Sequence, residues 1–103
     1  MFKVTQDLLQ NGIFNLSSIP QNETNIIFDE YCRANLISIE GNLENGPIES
    51  LDLGNCNKLI KLPDNLEVGG NLYLNGCTGL ILSAELISYL EAFEARGSTV
   101  NWP

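Results

Sequence analysis

The chain has 103 residues, 44% of them hydrophobic and 17% charged, which describes one folded domain and excludes both a disordered chain and a second core. Thirteen acidic against five basic residues give a formal net charge of −8, which disfavours nucleic-acid phosphates and anionic membrane surfaces as partners. The sequence contains no histidine, which removes Ser-His and Cys-His nucleophilic systems and the commonest metal ligand.

The opening "MFKVTQDLLQNG" lacks a signal-peptide hydrophobic region, and no apolar run approaches membrane-spanning length. Three cysteines, an odd count with two at the repeat spacing described below, argue for reduced thiols in a cytosol-like compartment. Thr5 reads as a helix N-cap, Val4 and Leu9 as a hydrophobic staple, and Gly12 as the stop. A helical N-terminal cap is therefore expected within residues 1–25, covering the first strand edge. Ile26 and Phe28 of "NIIFDEY" have the period of a strand. Asp29 and Glu30 would then point to opposite faces, as a solvated pair rather than an acid–base site. Cys32 lies beside Arg33, and a nearby positive charge lowers a thiol pKa, but no partner base accompanies it. Ile37, Ile39 and Asn42 of "ISIEGN" repeat the spacing of Leu51, Leu53 and Cys56 at an offset of fourteen. Segment 26–42 thus reads either as a degenerate repeat, the preferred reading, or as a hairpin between 26–28 and 37–39.

The strongest signal follows. "LDLGNCNKLI" from Leu51 to Ile60 returns twenty-one residues later as "LYLNGCTGLI", with five of the ten positions identical. The unit is L-x-L-x-x-C-x-x-L-x-x-L-P: Leu51, Leu53, Cys56, Leu59, Leu62 and Pro63, then Leu72, Leu74, Cys77 and Leu80, slipping by one to Leu82. L-x-L puts both leucines on one side of a short strand. The cysteine then points inward to satisfy the bend, and the later leucines return to the same interior. One such turn cannot bury its apolar face, whereas stacked copies can, with their strands in a parallel sheet. Between the copies, "LPDNLEVGG" ends the first turn at Pro63, runs along the back through Leu66 and Val68, and re-enters the sheet after Gly69-Gly70. Cys56 and Cys77 read as buried bend thiols, and no closely spaced cysteine pair suggests zinc. The glycines at 69, 70, 76 and 79 match no phosphate-binding spacing and read as turn residues.

After Ser83, a good N-cap, Leu86, Leu90 and Phe93 with Ile87 beside them form the apolar face of a helix. Glu85 and Arg96 suit its dipole, and Gly97 its C-terminal stop. Val100 and Trp102 of "STVNWP" then have L-x-L spacing, a last strand.

Residues 48–81 resemble leucine-rich repeats, in phrasing like those of bacterial effectors delivered by intracellular pathogens and also like those of plant resistance proteins. The resemblance implies an α/β fold: a short solenoid with a parallel β-sheet on its concave face, an N-terminal helical cap (about 1–25), repeats (about 26–82), and a C-terminal helix with a last strand (about 83–103). It implies a non-catalytic, monomeric protein-interaction module without cofactor or metal. A bacterial protein secreted into host cells without a signal peptide, a virulence effector, would engage a eukaryotic host protein. The alternative is a bacterial cytoplasmic regulator, an acidic inhibitor that covers a basic surface on another bacterial protein. The catalytic domain of leucine-rich ligase effectors has no counterpart here. In either reading the x positions of L-x-L form the contact row: Ser38, Asp52, Tyr73 and Asn101, with Glu40, Ser50, Gly54, Asn71 and Asn75 flanking it. Tyr73 among small polar and acidic groups is the expected anchor, since aromatics dominate interface energetics.

Overall fold

Alternating apolar residues and sharp polar turns produce short strands rather than long elements. The computed structural model describes residues 1–44 and 46–103. In chain order it contains β1 (Phe2–Val4), β2 (Leu9–Gln10), β3 (Ile13–Asn15), β4 (Asn25–Phe28), α1 (Glu30–Asn35), β5 (Ser38–Glu40), β6 (Ile48–Asp52), β7 (Val68–Tyr73), α2 (Ala84–Ala95) and β8 (Thr99–Asn101). Five strands make one parallel sheet in the order β1-β4-β6-β7-β8, and β2-β3-β5 make a second, smaller sheet. The fold is thus mixed α/β, with a five-stranded parallel sheet and two helices.

Register follows from burial. Ile26 lies beside Leu51, Leu51 beside Leu72, and Leu72 beside Val100, a continuous inward row across four strands. Leu51, Leu53, Leu59, Leu72 and Leu74 are all fully buried. Each contributes about 1.5–3 kcal/mol relative to exposure, so the row dominates a marginally stable domain.

The two copies of the repeated phrase adopt the same local structure. Cys56 N–H donates to Leu53 O at 3.0 Å, and Cys77 N–H to Leu74 O at 3.1 Å. The next closures, Leu59 N–H to Cys56 O and Leu80 N–H to Cys77 O, are both 3.2 Å. Before each cysteine the backbone is left-handed, at Asn55 (φ 63°) and at Gly76 (φ 79°), the residue types that tolerate it best. Copies interlock as well: Asn55 N–H donates to Asn75 O at 2.7 Å, and the Cys77 thiol donates to Leu53 O at 3.0 Å. The inward bend thiol expected from the sequence is therefore present.

Two expectations for the N-terminal half are corrected. The N-terminal helix is absent: residues 2–15 form β1, a 3-10 turn at Gln6–Leu8 and the β2–β3 hairpin. Thr5 bonds the Asp7 carboxylate instead of capping a helix N–H. Val4 is fully buried beside Phe28 in the large sheet, and Asn11 (φ 54°) with Gly12 (φ 79°) makes the paired left-handed turn that Asn-Gly favours in hairpins. Segment 37–42 is neither a neighbour of β6 nor a hairpin with β4. The Asp29 side chain caps α1 by accepting Cys32 N–H at 2.9 Å, and α1 carries the chain away from the large sheet. β5 then pairs in parallel with β3, Ile39 beside Phe14.

At the C-terminus, Ser83 accepts Leu86 N–H at 3.1 Å and Leu90 and Phe93 are buried, while Leu82, expected inside, is 51% exposed. Gly97 (φ 97°) ends α2 with Gly97 N–H to Glu94 O and Ser98 N–H to Phe93 O, the paired closure of a Schellman motif. Tyr89 OH bonds Pro63 O and Ser98 Oγ bonds Val68 O at 2.6 Å, fixing the helix behind the sheet. β8 takes the last place in the sheet as expected, with Val100 inside.

Candidate interaction face

Because Leu51, Leu72 and Val100 point inward, their neighbours along each strand point outward. The register aligns them: Asp52 beside Tyr73 and Tyr73 beside Asn101 form one row, and Ser50, Asn71 and Thr99 form a second. Asn25 continues the second row, with Ser50 Oγ donating to its Oδ1 at 2.7 Å. Tyr73 is half-buried, whereas Asn75 and Asn101 are exposed.

Of the six residues singled out from the sequence, four come together here: Asp52, Tyr73, Asn75 and Asn101. Ser38 and Glu40 do not. Both lie on β5 in the second sheet, where Ser38 Oγ donates to Glu40 Oε2 at 3.4 Å and Ser38 bridges to Lys61. The offset of fourteen matched the period-two alternation of a strand but not the sheet to which the strand belongs.

Arg33 was missed. It stands in the last turn of α1, with Nε donating to Phe28 O at 2.8 Å and Nη1 to Gly54 O. Its Nη2 lies 3.7 Å from Asp52 Oδ2, and Asp52 Oδ1 accepts Gly54 N–H at 2.9 Å. A long basic side chain thus ties the ends of β4 and β6 together and leaves its charge beside the Asp52 carboxylate. The available signal was an arginine closing a short segment begun by Asp29, a helix cap and a C-terminal cation.

The cysteines are not poised for chemistry. Burial pushes the thiols of Cys32 and Cys56 up to about 12, and burial also raises that of Cys77. For Cys32, the adjoining Asp29 carboxylate adds to this. All three stay protonated at neutral pH, the opposite of a nucleophilic thiolate. Hydrogen bonds from Cys32 hold the Asp29 carboxyl below its usual range. Among the described residues, no group of three or more Cys, Asp or Glu side chains is arranged to hold a metal ion, and no helix is long and apolar enough to cross a membrane.

Comparison of the chain with protein-family models, curated proteins and solved structures returned no match.

Proposed function

We propose that the chain is a short leucine-rich-repeat solenoid that works as a protein-interaction module, binding its partner on the outward face of the five-stranded sheet. The observation that carries this reading is the register of Asp52, Tyr73 and Asn101, which gathers an aromatic, a carboxylate and an amide on one face. The matched bends at Cys56 and Cys77 support the repeat reading. The resemblance to bacterial effector repeats makes a eukaryotic host protein the partner. Affinity capture from eukaryotic and bacterial lysates in parallel tests it. A host protein captured by the wild type and lost in an Asp52→Lys/Tyr73→Ala double mutant with unchanged circular dichroism is the expected result. Equal capture by both versions refutes the site.

The net charge of −8 favours a second reading, an acidic inhibitor covering a basic surface of another bacterial protein. Binding that weakens steeply between low and high salt marks that case, because exposed charges act only within a Debye length of about 8–10 Å.

A further inference from the structure

Ser38 and Glu40, which β5 carries into the second sheet, line a cavity of about 310 Å³ together with Gly41, Lys61, Asp64 and Asn65. Two residues apart on one strand, Ser38 and Glu40 share a face, and the parallel bridge from Ser38 to Lys61 sets the lysine on that same face. Ser38 Oγ donates to Glu40 Oε2 at 3.4 Å, which keeps this carboxylate at the end of the cavity beside Lys61. Both walls are held by the fold. β5 is paired with β3, whereas the opposite wall is anchored by Tyr89 OH on Pro63 O and by Asn65 Nδ2, which donates to Gly41 O at 3.3 Å and to Asn42 Oδ1. The charges facing this space are one ammonium, Lys61, and two carboxylates, Glu40 and Asp64. None of them has an internal partner, since the ion pairs among the described residues are Arg33 with Asp52 and the Met1 ammonium with Glu23.

We propose that this cavity binds a free basic α-amino acid, whose carboxylate meets Lys61 and whose two cationic groups meet Glu40 and Asp64. An anion alone would face two carboxylates, and a diamine would face the Lys61 ammonium without a group to offset it. One anionic and two cationic groups on one small molecule are the complement of the charges present. The volume is at the lower end of the range of about 300–1,000 Å³ in which proteins hold small ligands, which suits a single amino acid. The site lies on the second sheet, apart from the outward face of the large one, so it stands or falls independently of partner binding there.

The test is amide-resonance titration of the isotopically labelled chain with four compounds at fixed pH and ionic strength. They are lysine, cadaverine, which lacks the carboxylate, Nα-acetyl-lysine, which lacks one cation and mimics the C-terminal lysine of a protein, and glutamate. Saturable shifts at residues 38–41 and 61–65 with lysine are expected, and none with glutamate. Cadaverine and Nα-acetyl-lysine should each bind about twofold to fivefold more weakly than lysine, the effect of one exposed ion pair. Lys61→Glu, at an exposed position, should keep the fold and reverse the order, so that cadaverine binds more tightly than lysine. No saturable shift with lysine, glutamate binding as tightly as lysine, cadaverine or Nα-acetyl-lysine matching lysine on the wild type, or an unchanged order in Lys61→Glu overturns the proposal.

Discussion

Leu59 and Ile60 are neighbours, and both are identical in the second copy, as Leu80 and Ile81, so the sequence treats them alike. The structure does not: Leu59 is fully buried, whereas Ile60 is 63% and Ile81 82% exposed. Leu59→Ala deletes a buried branched side chain from the bend closed by Leu59 N–H and Cys56 O, and should cost about 2–5 kcal/mol. Against a total of about 5–15 kcal/mol for a domain of this size, that removes a large share of the stability. A loss of about 2 kcal/mol lowers the melting temperature by about 8–16 °C. Ile60→Ala, on the surface, should stay within about 0.5 kcal/mol of wild type. Urea denaturation followed by circular dichroism separates the two, provided the dependence on urea is unchanged between variants. A loss above about 1.5 kcal/mol for Ile60→Ala, or below about 1 kcal/mol for Leu59→Ala, refutes the assignment of inside and outside along this segment.

Two more perturbations probe the bends and the thiols. Gly76→Ala forces a side chain onto a left-handed backbone and drives its Cβ to 3.1 Å from Asn55 Cα, so a loss of more than about 1 kcal/mol in thermal unfolding is expected, while wild-type stability discounts the close approach. Cys32 and Cys56 hold their protons up to about pH 12 in the fold, against about 9 for an unperturbed thiol. The folded state therefore binds more protons than the unfolded one across that window, so their stabilisation is complete below about pH 9 and erodes as pH rises toward 12, by up to about 1.4 kcal/mol per pH unit per thiol. Chemical unfolding from pH 8 to 10.5 should show this decline, reduced in Cys56→Ala; a flat profile contradicts the buried thiols.

What the sequence disclosed was local. L-x-L, the inward cysteine and the following leucine are set by neighbours within ten residues, and all of them appear in both copies. The helix after Ser83 was legible as an element, because cap, apolar residues and glycine stop all lie within it, although Ile87, expected on its apolar face, is 37% exposed. The N-terminus misled, because Thr5 and Gly12 satisfy a helix template while Val4 is claimed by a strand over twenty residues away, beside Phe28. Asn11-Gly12 carried the hairpin signal within the same stretch, and the helix template masked it. Ser38 and Glu40 failed for a related reason: alternation tells which residues share a face of a strand but not which sheet the strand joins. Arg33 was legible as the cation closing the short helix begun by Asp29, but its reach to β6 was not, because its partners Phe28 O and Gly54 O are backbone carbonyls that carry no signature of their own.

The connections between the parallel strands show which constraint governs the fold. Between β4 and β6 the chain passes through α1 and β5, between β6 and β7 it bridges to β5 at Lys61, and between β7 and β8 it forms α2. These paths differ in length and in secondary structure, yet each returns the next strand to the same inward row of Ile26, Leu51, Leu72 and Val100. The back can vary because any element that places an apolar residue under the row satisfies it: Ile39 from a strand, Leu90 and Phe93 from a helix. The large sheet cannot vary so freely, since a one-residue slip would turn every leucine of a strand outward. The same constraint fixes the outward positions, so Asp52, Tyr73 and Asn101 keep their alignment whatever the back does. Outward positions of the strands can therefore change chemistry without turning the buried leucines out of the core.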